Sequence, residues 1–228
     1  MAPYLAVHYA LRDYLGLDLA ASPRRPTAYA LLDGQGALKE MGGVGDDEAI
    51  LDLAQRLRPR LVAIDAPLSL PRGLCCLELS CPCCPLAPDG LKAAKRDLLR
   101  QGISLFPTTK RSIIKALAYR GVGLARALSS TGTAVVEVYP YASKVRLVCY
   151  PSHPGARPPK KRTVEGRAHL RRALEPLIPG LAAYTEPLGH DHLDALVATL
   201  TAHLQARGYA EALGDADEGL IFLPYFTE

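Results

Sequence analysis

The run "RLVAIDAPLSLP", residues 60–71, constrains this chain more than any other stretch. Its segment "LVAIDA" is apolar at successive rather than alternate positions, as expected of a parallel strand covered by helices on both faces. That strand hands over directly to a carboxylate, Asp65, and then to the proline-punctuated turn "PLSLP". Upstream, "DDEAILDLAQRLRP" over 46–59 has acids at its start, Ile50, Leu53 and Leu57 on one face, and Arg58-Pro59 at its close. These are helix entry and exit signals, so a strand–helix–strand crossover leads into the central strand.

The same pattern of a short apolar strand ending in an acid recurs. "DYLGLDLAA", 13–21, reads as a first strand ending near Asp18, and "TAVVEVYP", 133–140, as a later one carrying Glu137 near its end. Between the first strand and the helix, "TAYALLD" and "GALKEMGG" flank "DGQG" and predict a hairpin through Asp33-Gly34 turn chemistry. Helices are predicted around 90–101, 110–128 and 163–175, and a strong final helix over 190–208 with the stripe Leu193, Leu196, Val197, Leu200 and Leu204. Residues 72–90, rich in Cys and Pro, read as a local insertion, and 150–162, "YPSHPGARPPKKR", as a basic Pro-rich loop.

Length and composition set the outer bounds. At 228 residues, 49% hydrophobic and 22% charged, the chain is expected to fold as one domain over 1–228, neither disordered nor fibrous. No stretch approaches the roughly 18 apolar residues of a membrane span, and the start lacks a basic signal-peptide region, so the expected address is the cytoplasm, with no membrane partner. A net charge of +4 permits a phosphate-bearing partner without requiring one. The chain has no Asn and four Gln, a bias consistent with a thermophile or a GC-rich genome.

That bias bears on five cysteines packed into "CCLELSCPCC": Cys75, Cys76, Cys81, Cys83 and Cys84. Their spacing lacks the paired C-x2-C knuckles of common zinc sites, and intracellular disulfides occur in hyperthermophiles. Disulfides are therefore the leading expectation, with structural zinc and free thiols as the alternatives.

The strand-end acids point to chemistry. Open α/β sheets present ligand sites outside the carboxyl ends of their strands. Asp18, Asp65 and Glu137 lie there, while Asp191 and Asp194, three apart on the final helix, are one-turn neighbours. A lone strand-end Asp is commonly a turn or helix cap; recurrence at several ends favours a shared site. Clustered carboxylates repel unless some take up protons or a divalent cation joins them, and all-oxygen ligation selects Mg²⁺ or Mn²⁺ over zinc. Two such ions about 4 Å apart form the usual clamp for in-line displacement at a phosphodiester.

In order along the chain, "GLDLA", "VAIDAPLSLP", "RDLLRQGISLFPT", "EVYP", "KKRTVEGRAHLRRAL", "HDHLDAL" and "DEGLIFLP" resemble the predicted RNase H-like nucleases called domain of unknown function 429. The resemblance covers residue 13 onward and implies a ribonuclease H-like α/β fold. That fold has a mixed five-stranded sheet, three antiparallel strands followed by parallel ones, with helices on both faces. It also implies a metal-dependent nuclease acting on DNA or RNA. Asp18 matches the first-strand aspartate, Asp65 the fourth-strand acid, and Asp191 and Asp194 the last-helix pair of resolvase-type members. Glu137 matches the acid of "EVYP". In the mechanism so implied, Asp18 bridges two metals, Asp65 and Asp194 complete their shells, and Asp191 or Glu137 orients the attacking water. The Cys-rich insertion and the extra N-terminal residues depart from the family pattern.

Substrate phosphates have two candidate resting places: Lys110, Arg111 and Lys115 after the "FPTT" turn, and Lys160, Lys161 and Arg162 in the basic loop. Each patch alone is equally consistent with a solvated charged face. "LVAIDAP" also looks like a nucleotide-hydrolase strand, but no G-x4-G-K-[ST] run accompanies it. The chain is too short for the two-domain sugar-kinase and actin folds, and too rich in strands for an all-helical histidine–aspartate phosphohydrolase. A metal-binding or partner-binding module without turnover is the remaining alternative. The sequence is compatible with an oligomer and does not specify one.

Overall fold

The computed structural model describes residues 13–149 and 157–225. One mixed sheet runs through it in the order β3-β2-β1-β4-β5-β7-β6. Its strands are β1 Tyr14–Asp18, β2 Thr27–Leu32, β3 Leu38–Val44, β4 Leu61–Ile64, β5 Ala134–Val138, β6 Ala210–Asp215 and β7 Gly219–Pro224. β1, β2 and β3 form an antiparallel meander, β4 and β5 add parallel to β1, β7 is parallel to β5, and β6 closes the edge antiparallel. The helices are α1 Asp47–Leu57, α2 Ala93–Arg100, α3 Lys115–Ser130, α4 Pro140–Lys144, α5 Val164–Leu174 and α6 His190–Ala206. A π-helical turn, Val145–Cys149, follows α4 directly. Among the described residues no helix is long and apolar enough to cross a membrane.

The expected meander, crossover and both-face helix cover are all present. Asp33 shapes the hairpin turn by accepting from the amides of Gln35 and Ala37, at 2.8 and 2.9 Å. Asp46 caps α1 through the Ala49 amide, and Arg58 ends that helix in the left-handed region at φ 47°. The expected five strands are seven, because a hairpin after α6 adds β6 and β7. β6 reads "AEALGD", with acids at two of its six positions, and β7 meets β5 at only two register pairs, Glu137 with Ile221 and Val138 with Phe222. No strong two-residue alternation announces such a pair; packing of Leu213, Ile221 and Leu223 on Ala94 and Leu98 of α2 creates it. Of the expected loop over 150–162, residues 150–156 lie outside the described residues, as do the extra N-terminal ones.

The double-faced reading of β4 holds residue by residue. Val62 and Ile64 pack with Ile50 and Leu53 of α1 and Leu124 and Leu128 of α3, whereas Leu61 and Ala63 pack with Ala198 and Ala202 of α6. On β1, Leu15 and Leu17 take the α1/α3 side, which leaves Gly16 and Asp18 for the α6 side by the two-residue period. At Gly16 the helix sits on the strand itself. A Cβ there would come within 2.3 Å of the Thr199 amide nitrogen and 2.4 Å of the Ala195 carbonyl. Thr199 Oγ1 secures the contact by donating to the Tyr14 carbonyl at 2.9 Å.

Candidate active site

The carboxyl ends of the central strands are level with one another. Leu17 and Ile64 are register partners, and the Asp65 amide donates to the Leu17 carbonyl at 2.9 Å. Asp18 ends β1 and Asp65 follows β4, and both fall on the α6 side of the sheet. Because α6 crosses β1 at Gly16, its first two turns emerge over those same ends and carry Asp194 to them. Asp18, Asp65 and Asp194 each offer a carboxylate oxygen, and these oxygens all lie within 4.8 Å of one another. They sit in a cavity of about 850 Å³ that Lys144, Lys160, Lys161, Arg162 and Tyr139 also line.

The electrostatics follow from that crowding. Burial first, then the charges of Asp65 and Asp194, push the Asp18 carboxyl up to about 9. Burial and Asp194 push Asp65 up to about 7, with Lys161 and Lys144 pulling it back. Asp194 itself is almost fully buried, and lysines meet both of its oxygens. Lys144 Nζ donates to Oδ1 at 2.5 Å, and Lys161 Nζ donates to Oδ2. Lys161 is the one residue of its basic trio seen to enter the acid cluster; Lys160 and Arg162 remain exposed at the cavity wall.

Asp191 and Glu137 stand apart from the three clustered acids. Asp191 is exposed on the first turn of α6, 2.5 Å from His190 Nδ1, yet close enough to contribute to the raising of Asp18. Glu137 is in register with Ile64, so the strand period turns it to the opposite sheet face from Asp65. There its Oε2 accepts from the wholly buried Lys92 at 2.8 Å and from the Leu68 amide at 2.9 Å. That pairing braces the "PLSLP" turn, with Glu137 still touching the cavity wall.

The first cationic patch is differently employed from the sequence expectation. Lys110 Nζ donates to the Cys81 carbonyl, Lys115 pairs with Glu78 at 3.3 Å, and Arg111 is exposed. Two of the three therefore hold the Cys-rich segment. Its cysteines also correct the leading expectation: no disulfide joins Cys75, Cys76, Cys81, Cys83 and Cys84.

Three groups escaped the sequence reading. Lys144 was hidden because the helical segment after "EVYP" was not foreseen, and nothing local separates it from Arg146 two residues on. Lys95 is buried with its ammonium on the Phe106 carbonyl and Thr108 Oγ1, and burial lowers it to about 8. Glu218 caps α2 from 125 residues away, accepting from the Ala93 amide at 2.7 Å, which no local pattern reveals.

Fold and site together define an α/β protein with an acidic centre at the carboxyl ends of its central strands. The chain belongs to the family described as Protein of unknown function (DUF429), which matches residues 16–219. Among solved structures it is similar to Thermus thermophilus RuvC, at 16% identity and a TM-score of 0.46, over 86% of this chain and 96% of that one. It is also similar to a trimeric exonuclease, PhoExo I, from Pyrococcus horikoshii OT3 in complex with poly-dC. That alignment has 13% identity and a TM-score of 0.27, over 95% of this chain and 86% of the other. No curated protein matches.

Proposed function

We propose that this protein is a divalent-cation-dependent nuclease that hydrolyses phosphodiester bonds. One observation carries the reading: three carboxylates from β1, the end of β4 and α6 converge within 4.8 Å in a cavity lined by basic residues. The donor set is all oxygen, and two of its members have carboxyls pushed far up by burial and mutual repulsion. Such a set fits a hard divalent cation, Mg²⁺ or Mn²⁺, held by Asp18, Asp65 and Asp194. When bound, that cation supplies Lewis-acid polarisation and an activated water at neutral pH.

The chain's own residues divide the remaining work. Lys160 and Arg162, exposed at the cavity wall, meet the substrate's phosphates. Asp191, exposed one turn before Asp194, accepts the proton of the attacking water. Lys144 and Lys161 hold the two oxygens of Asp194 and neutralise the cluster, and the half-exposed Lys161 is free to turn toward a substrate phosphate. Hydrolysis of single-stranded, duplex and branched DNA and RNA with Mn²⁺ tests the reading against Asp18→Asn; equal rates in wild type and variant would end it.

A second reading has one observation in its favour. Both oxygens of Asp194 are already engaged by lysines, which would suffice for a catalytically silent module of the same fold. Tight Mn²⁺ binding with no cleavage of any nucleic acid would select that alternative.

A further inference from the structure

The segment 72–90 lacks what normally holds a loop of its length. It contains no helix or strand, and Leu77 is its only buried residue; Leu79 and Leu86 stand 68% and 71% exposed. Loops beyond about 12–15 residues without structure of their own are either functional or unordered, and segments without a core need a covalent or metal staple. Here four sulfurs occupy the place of a core. One sulfur from each of Cys75, Cys76, Cys81 and Cys83 lies within 4.8 Å of all the others, and the Cys75 and Cys81 sulfurs are 3.5 Å apart. Cys84 points elsewhere, its thiol 3.5 Å from the Pro82 carbonyl.

We propose that Cys75, Cys76, Cys81 and Cys83 form a structural zinc site that staples this insertion against α3. A tetrahedral zinc with Zn–S bonds of about 2.3 Å places its sulfurs roughly 3.8 Å apart, so the observed separations need only small adjustments. Thiolate ligands select a soft or borderline cation of the zinc class, in contrast to the oxygen donors of the other cluster. The surroundings suit a centre of net negative charge: Lys110 is bonded to the Cys81 carbonyl, and Lys115 is paired with Glu78. Tyr119 of α3 fixes the register, its hydroxyl accepting from the Leu77 amide at 2.7 Å and donating to Glu78 at 2.9 Å. α3 in turn touches the turn that follows Asp65, since a Cβ at Gly121 would lie 2.6 Å from the Pro67 carbonyl. The staple therefore stands one helix from the acidic site. Binding converts four thiols to thiolates and releases their protons to solvent.

Elemental analysis of the full chain, purified under reducing conditions and incubated with zinc, is expected to find about one zinc per chain. Replacement by Co²⁺ should give the intense visible bands and the near-ultraviolet sulfur-to-metal charge transfer of a tetrahedral four-thiolate site. Cys81→Ser should lose more than nine-tenths of the zinc, whereas Cys84→Ser and Asp18→Asn keep it. Three results would each overturn the proposal: an unreduced mass lower by four hydrogens, showing two disulfides; a zinc-free wild type with all thiols titratable; or retention of zinc by Cys81→Ser. The cobalt spectrum of the wild type decides the matter even if Cys81→Ser fails to fold.

Discussion

Two clusters of residues with metal-binding side chains, one of carboxylates and one of thiols, are built in opposite ways. The acidic one draws on β1, the end of β4 and α6, residues 18 to 194 in sequence, with Asp194 buried and Asp18 and Asp65 half-buried. The thiol one spans nine residues of a single loop, 75–83, and is half exposed. Its ligands are close in sequence, so little of the fold is needed to gather them. The acids are gathered by the whole fold, and at a cost, because burial and mutual repulsion push the carboxyls of Asp18 and Asp65 up.

The sharpest way to break this comparison is to remove one acid. Asp18→Asn or Asp194→Asn should lower Mn²⁺-dependent hydrolysis by more than about a hundredfold, the upper end of losses for groups one layer outside a metal's ligands. Zinc content should be unchanged in the same preparations. An acid variant that loses zinc, or keeps its hydrolysis rate, would merge the two sites or dissolve the first.

Next comes the packing that brings the acids together. Gly16→Ala forces α6 off β1 and should destabilise the protein by about 1–3 kcal/mol, the usual range for overpacking a core. Chemical denaturation gives that number, and Mn²⁺ titration should show weakened binding while the thiol site, being local, keeps its cation.

The repulsion between the acids makes stability fall as pH rises. Asp18 and Asp65 have folded-state carboxyls raised from 3.8 to about 9 and about 7, so their favourable contribution is complete below pH 3.8 and is lost as pH rises toward those values. The metal-free protein should therefore melt at progressively lower temperature from about pH 4 to 9, and Mn²⁺ should flatten the decline. At pH 8, Asp18→Asn should raise the metal-free melting temperature by roughly 4 °C or more, since about 1 kcal/mol is worth roughly 2–4 °C in a chain of this size. Calorimetry with and without chelator measures both; a melting temperature insensitive to pH in this window would show that the carboxyls of Asp18 and Asp65 are not raised.

The smallest effect concerns the basic wall. Lys160→Ala with Arg162→Ala should weaken nucleic-acid binding uniformly and reduce the slope of log K against log salt by about 1–2. An Arg111→Ala variant, at the thiol side, should leave the slope nearly unchanged. A reversal of those two outcomes would move the substrate path toward the insertion.

Much of this was legible in the chain itself. The apolar run at β4, the Asp33 turn, the Asp46 cap and the α6 stripe each rest on interactions between residues near in sequence, so local pattern sufficed. Asp18, Asp65, Glu137, Asp191 and Asp194 were legible as five candidates because strand ends and a helix start recur with acids at fixed places; the family resemblance, not local pattern, picked out Asp18, Asp65 and Asp194. Glu137 shows the limit. It shares the strand-end signature, but one step of the two-residue period sends it to the other face, where Lys92 engages it. The lysines show the same limit: Lys110 and Lys115 look like a phosphate patch in sequence and are occupied by Cys81 and Glu78 in space.

The amino-acid sequence alone determined that a doubly covered sheet with acids at its strand ends would form, because periodicity and capping act over a few residues. Tertiary structure alone decided which acids meet. The absence of a side chain at Gly16 lets α6 lie on β1 and bring Asp194 to Asp18 and Asp65, and the edge of β5 recruits β6 and β7. Those are contacts between segments far apart in the chain, and their distances are set by packing.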